Sequence, residues 1–171
     1  KGLDAHIDVS VVHTDMLADG WTFEDQDAGA FGRTGDRLMG KTFAREIYLA
    51  ADPRASGRVT VPILWDKQRA TIVSNESSEI IRMFNSAFDG ITGDTQDFYP
   101  KALRPEIDAV NDRIYSDINN GVYKSGFATS QAAYDEAVTT LFDALDWVET
   151  RLGTHRYLTG DRITEAAWRL F

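Results

Sequence analysis

The sequence predicts an α/β segment followed by an all-helical one, and three observations carry that division. The first ninety residues mix short β-branched stretches with two amphipathic helical patterns. The run Asp89–Pro100 (DGITGDTQDFYP) is polar, contains glycine and ends in proline, as inter-domain linkers do. Beyond it, the apolar positions step by three and four, the spacing of one helix face. The division expected is therefore residues 1–88, a linker over 89–100 and a helical part over 101–171.

Taken in order, His6–His13 (HIDVSVVH) alternates Ile7, Val9 and Val11 and predicts a strand. Asp15–Gly40 is rich in Gly and Asp without either period, which predicts a long loop of the kind that carries function or stays disordered. Thr42–Ala51 predicts a short helix with Phe43, Ile47 and Ala50 on one face, closed by Asp52-Pro53. Thr60–Asp66 and Ala70–Ser74, joined by Lys67-Gln68-Arg69, read as a β-hairpin. Asn75–Phe88 is then a helix that buries Ile80, Ile81, Phe84 and Phe88. In the helical part, Ile107, Val110, Ile114 and Ile118 space a first helix, with Asn119-Asn120-Gly121 as its stop. Tyr134, Val138, Leu141, Leu145, Val148 and Leu152 space a long one, capped at Thr129 or Ser130 and followed by Gly153. A last helix begins after Thr164.

Composition bounds the function. An apolar fraction of 43% and four tryptophans suit a packed core. The 27 acidic against 18 basic residues, net charge −9, disfavour nucleic acid, whose phosphates need a concentrated basic face. No apolar run approaches the roughly 20 residues that cross a bilayer. The absence of cysteine removes disulfides, thiolate metal sites and any thiol nucleophile from this chain. His6, His13 and His155 lie far apart, so no metal is expected.

Two motifs invite misreading. Gly35–Thr42 (GDRLMGKT) matches the phosphate-binding pattern G-x-x-x-x-G-K-[ST], but the preceding Asp27–Thr34 has no buried-strand character to feed such a loop. It is read instead as a flexible loop before a helix start. Asn75-Glu76-Ser77 is formally a glycosylation sequon, yet it sits at a helix start with no secretory signal in view.

The chemistry concentrates between Thr60 and Phe88. Val61-Pro62 opens the hairpin, and proline belongs at a strand's first residue because it cannot donate to a ladder. With a cis bond there, the backbone of Val61 would turn outward to pair with an extended peptide. Glu76 and Ser77 open the following helix, whose unpaired N–H groups and partial positive charge attract a carboxylate. Ser77 offers a hydroxyl there, and Glu76 an acceptor for a ligand ammonium group. The same residues also read as ordinary helix capping.

VTVPILWDKQRATIVSNESSEIIRMFNSAFD, together with GWTF (Gly20–Phe23), SGRVTVP (Ser56–Pro62), NNGVYKSGFATSQAAYDEAV (Asn119–Val138) and RYLTGDRITEA (Arg156–Ala166), resembles the glutathionyl-hydroquinone reductases, the Xi class of the glutathione transferase superfamily. The resemblance spans essentially the whole chain. It implies an incomplete α/β thioredoxin-like N-terminal domain followed by an incomplete all-α glutathione-transferase C-terminal domain. It also implies that Val61 with a cis Pro62 binds the backbone of glutathione's cysteinyl residue, that Glu76 and Ser77 hold its γ-glutamyl end, and that Trp21 lies against the tripeptide. Arg58 is implied to assist with anionic groups and Tyr123 to line the quinone pocket, while core or interface packing is the plainer reading of Trp21 and Tyr123. The family's reaction uses a cysteine thiolate, expected upstream of Lys1, with glutathione as co-substrate and no metal. A cytoplasmic homodimer without nucleic-acid or membrane partners is the implied context. The chain by itself is expected to be an inactive and poorly folded fragment. One departure stands out: Ala167 replaces the acid that completes the family's Thr-x-x-Asp cap, so Thr164 is expected to keep only its hydroxyl cap. Competing functions are a broader Omega-like thioltransferase and a non-catalytic glutathione-transferase-like binding module.

Overall fold

The computed structural model describes residues 1–16, 18–23 and 34–170. They form two compact units, one of residues 1–80 with 88–94 and one of residues 81–87 with 95–171.

In the first unit, helix α1 (Ala44–Ala51) has no hydroxyl at its N-cap, Phe43. Its start is closed instead by the Glu46 carboxylate, which accepts from the amides of Thr42 (3.0 Å) and Phe43 (2.9 Å). Ala44 and Ile47 are its buried residues, so the apolar face includes Ala44 rather than the exposed Ala50. Strands β1 (Leu64–Asp66) and β2 (Thr71–Ser74) pair antiparallel, Trp65 opposite Ile72 and Asp66 opposite Thr71. Their turn is tied by Asp66 Oδ1, which accepts from Gln68 N (2.9 Å) and Arg69 N (3.0 Å). Ala70, at φ 50°, belongs to that turn and not to the strand, and Thr60–Ile63 stay outside the ladder, so both strands are shorter than the sequence predicts.

The strand expected over His6–His13 does not form. Period-2 alternation becomes a strand only where a neighbour supplies ladder partners. Here the Val11 amide donates to Thr34 Oγ1 (2.9 Å) and the His13 amide to the Thr22 carbonyl (2.7 Å). Residues 17 and 24–33 of the predicted long loop lie outside the described residues. Helix α2 (Ser77–Ser86) follows the hairpin, and a further helical turn, α3 (Asp89–Thr92), occupies the first part of the stretch read as linker. Gly93, at φ 72°, ends that turn in the left-handed conformation that glycine adopts without steric cost.

In the second unit, α4 (Arg104–Arg113) runs through one wide π turn (Ile114–Asn119) into α5 (Asn120–Gly126). Asn119-Asn120-Gly121 therefore does not stop the helix. Gly121 has no positive φ; it faces α6 (Gln131–Leu152), where a Cβ would lie in ordinary contact, 3.5 Å from Leu141 Cβ. The Ser130 hydroxyl caps α6 by accepting from the Ala133 amide. Ile107, Val110, Ile114 and Ile118 pack with Leu141, Ala144, Val148, Leu158 and Ala166 into one core. Tyr134, Leu145 and Leu152, read as part of the buried stripe of α6, are exposed; Ala144 takes the place of Leu145. Among the described residues no helix is long and apolar enough to cross a membrane.

Helix α7 (Glu165–Arg169) closes this core with a charge. Glu165 is 2% exposed, and its carboxylate accepts from Arg82 Nε (2.6 Å), Arg82 Nη2 (2.5 Å) and Asn111 Nδ2 (2.9 Å). The hydrogen bonds it donates to Glu165 hold the Arg82 guanidinium above its ordinary pKa. Thr164 is the N-cap of α7, but its hydroxyl does not cap; it pairs with Thr159 Oγ1 at 2.7 Å in a buried contact. The expectation of a hydroxyl cap is corrected on that ground.

Two outcomes follow for the whole protein. Arg82→Met strands the Glu165 carboxylate and should cost about 2–3 kcal/mol, below the full cost of breaking a buried pair because the Arg82 side chain is 42% exposed. Ala167→Asp supplies an acceptor at the third residue of α7 for the Thr164 amide and should gain about 0.5–1 kcal/mol. Denaturant unfolding midpoints at constant slope measure both.

Candidate functional site

The segment before the hairpin is held from two sides. Thr60 accepts from Tyr48 Oη on α1 through its carbonyl (2.9 Å) and from Asn75 Nδ2 through its hydroxyl (3.0 Å). The next peptide bond, Val61–Pro62, is cis. Val61 is exposed, and its backbone N–H and C=O make no hydrogen bond among the described residues. An extended peptide could therefore pair with this stretch as a short strand would.

Asn75 also leads into the second part. Ser74, buried at the end of β2, accepts from the Glu76 amide (3.1 Å) and donates to Glu79 Oε2 (2.7 Å). The Glu76 carbonyl accepts the first bond of α2, from Ile80 N at 3.0 Å, which makes Glu76 the N-cap. The amides of Ser77 and Ser78 have no acceptor among the described residues, and the Glu76 and Ser77 side chains are exposed. Here a carboxylate finds donors and a favourable dipole, with the Glu76 carboxylate beside it for an ammonium group.

The Asn75–Thr60 hydrogen bond thus brings Val61-Pro62 and Glu76-Ser77 together. Trp21 is anchored separately: its carbonyl accepts from Ala44 N (2.9 Å), while Phe23 N donates to the Thr42 carbonyl (2.7 Å), so the GWTF segment is fixed on the start of α1. Arg58 is exposed and forms no ion pair among the described residues. Tyr123 belongs to the other unit, on α5, 65% exposed and parallel to the Phe127 ring with centroids 6.3 Å apart. Tyr48, Thr60, Ser74 and Asn75 were not singled out from the sequence. The signal available was adjacency alone, since Thr60 precedes Val61 and Asn75 precedes Glu76.

The phosphate-loop match folds into something else. Asp36 turns its carboxylate inward on its own loop and accepts from the amides of Leu38 (2.9 Å), Met39 (3.2 Å) and Lys41 (2.9 Å). With Glu46 taking the amides of Thr42 and Phe43, the donors that would cradle phosphate are committed to carboxylates. No group of three or more metal-binding side chains occurs among the described residues.

The family model for the glutathione S-transferase C-terminal domain matches residues 131–171. Glutathionyl-hydroquinone reductase YqjG of Escherichia coli is 58% identical over 171 residues, across all of this chain and 51% of its own length. The glutathione-bound structure of YqjG matches with a TM-score of 0.93, covering 99% of this chain and 54% of that one. Glutathione transferase Xi 1 of Trametes versicolor matches at 52% identity and a TM-score of 0.91, over 99% of this chain and 59% of that one. The chain belongs to the Xi-class glutathione transferases. Over the part it covers, this Xi-class chain has the glutathione transferase fold, thioredoxin-like in its first unit and all-helical in its second. Glutathionyl-hydroquinone reductase PcpF of Sphingobium chlorophenolicum is 52% identical over all of it and 53% of that protein. The Xi-class chain spans about half the length of these curated relatives.

ATP with Mg²⁺ should leave the melting midpoint of the whole protein unchanged, because the amides of Leu38, Met39, Lys41, Thr42 and Phe43 are already bonded to carboxylates. A nucleotide-dependent rise in that midpoint would contradict the loop geometry.

Proposed function

We propose that the whole protein removes glutathione from glutathionyl-hydroquinones, and that this chain contributes the part that holds glutathione. The observation that carries the reading is the pairing of an open backbone edge at Val61 with an open helix start at Ser77, one hydrogen bond apart. In this reading, Val61 pairs with the cysteinyl backbone of glutathione. Ser77 and the first amides of α2 take the γ-glutamyl carboxylate, Glu76 its ammonium group, and Trp21 packs on the tripeptide. Arg58 serves the anionic groups, and Tyr123 lines the pocket for the quinone ring.

The chemistry balances without a metal. A thiolate attacks the sulfur of the glutathionyl thioether, forms a mixed disulfide with glutathione, and the aryl group leaves with a proton as hydroquinone. A second glutathione then attacks the mixed disulfide, releasing glutathione disulfide and regenerating the thiol. This chain contains no cysteine, so the attacking thiol belongs to the rest of the whole protein. The reading places the protein in the cytoplasm as a homodimer, with residues 1–88 as the glutathione-binding domain, 89–100 as linker and 101–171 as helical domain. The net charge of −9 supports small-molecule rather than nucleic-acid partners.

In the whole protein, Glu76→Gln removes a charge-assisted bond to the ligand ammonium and should weaken glutathione roughly 10- to 100-fold, the equivalent of about 1.5–3 kcal/mol. Titration calorimetry measures it, with the unliganded melting midpoint as the control for folding. Equal affinity in the variant would count against the cradle. Turnover of a glutathionyl-hydroquinone against a generic mixed disulfide separates this reaction from general thiol transfer.

A further inference from the structure

Thr60 is joined by its carbonyl to Tyr48 and by its hydroxyl to Asn75, and neither bond is needed to form a secondary-structure element. Tyr48 lies in α1, Thr60 outside the hairpin ladder, and Asn75 between β2 and α2. All three are half-buried. The two bonds therefore fix one thing: where the Val61 backbone stands relative to the first turn of α2 and to α1.

That distance matters for a ligand gripped at two points. A tripeptide whose backbone pairs with Val61 while its α-carboxylate meets the Ser77 and Ser78 amides needs both groups at a set separation. If the Thr60 segment is free to shift, the ligand itself must order it on binding and loses affinity by that cost. We infer that Asn75 and Tyr48, acting through Thr60, are positioning residues that pre-set the spacing of the glutathione cradle. They touch no reacting atom. The inference rests on the glutathione-binding reading above and adds to it the residues that hold its two halves in register.

The test uses the whole protein and four variants. Thr60→Val keeps the shape but removes the hydroxyl, Thr60→Ser keeps the hydroxyl, Asn75→Ala removes its donor, and Tyr48→Phe removes the phenolic donor. Glutathione affinity is read by calorimetry, and the melting midpoint is taken without ligand. The expected result is a loss of about fivefold in affinity for Thr60→Val, Asn75→Ala and Tyr48→Phe, on the order of one neutral hydrogen bond. Thr60→Ser should recover most of it. Combining Thr60→Val with Asn75→Ala should weaken binding no further than Thr60→Val alone, because Thr60→Val already deletes the Asn75 bond along with the longer 3.4 Å Tyr48 Oη–Thr60 Oγ1 contact. A merely structural role would lower the melting midpoint and leave the affinity of the folded protein unchanged, and that result overturns the inference. Additive losses in the double variant also overturn it. If the unsubstituted protein fails to bind glutathione, the reading beneath falls first and takes the inference with it; if it binds and the variants bind equally, only the inference falls.

Discussion

A carboxylate at 2% exposure is costly unless it is fully paired, and Glu165 sets the terms for the helical unit. Its partners come from distant parts of the chain: Arg82 lies 83 residues upstream and Asn111 54 residues upstream. The segment 81–87, α4 and the start of α7 are thereby held to one point, and an arrangement that separates any of them leaves a buried charge unmet. Arg82 is held in turn by the Tyr99 ring, 3.4 Å from its guanidinium carbon, and Tyr99 donates to Asp108. The hydrogen bonds to Glu165 also raise the pKa of Arg82. Such a cluster adds less to net stability than an apolar core of equal volume.

Around that point the apolar contacts provide the bulk of the stabilisation. Ile107 and Ile114 are fully buried, and a side chain of that size is worth about 1.5–3 kcal/mol on burial. The wide turn at Ile114–Asn119 lets α4 continue into α5, where Gly121 faces Leu141 of α6. The candidate site works on a smaller scale. Its internal ties are neutral hydrogen bonds of roughly 1 kcal/mol each, at Tyr48–Thr60, Asn75–Thr60 and Ser74–Glu76. Bonds of that size contribute little to stability but fix positions, and the groups left open at Val61 and Ser77 are those a peptide and a carboxylate require.

Much of this was legible in the sequence, and unevenly so. The hairpin, α1, α2 and the long α6 follow from local period and turn residues, and the Val61-Pro62 and Glu76-Ser77 pairs are visible as motifs. Local reading failed wherever a remote partner decided the outcome. His6–His13 has a strand's pattern but no ladder partner among the described residues. Asn119-Asn120-Gly121 spells a helix stop, yet the helix runs through it and Gly121 has no positive φ. The Thr164 hydroxyl has the position of a cap and bonds to Thr159 instead. The loop at Gly35–Thr42 spells a phosphate cradle, but Asp36 occupies its donors.

The sequence by itself determined the hairpin and the long helices, the lack of any thiol chemistry within this chain, and the residue types suited to holding a small zwitterionic peptide. These depend on spacing along the chain and on composition, which folding does not change. Only the tertiary structure decided that Glu165 is a buried charge held by Arg82 and Asn111, and that Thr60 joins the two halves of the candidate site. Hydrogen bonds between side chains far apart in sequence leave no periodic trace, because their partners are chosen by the path of the backbone and not by the residues beside them.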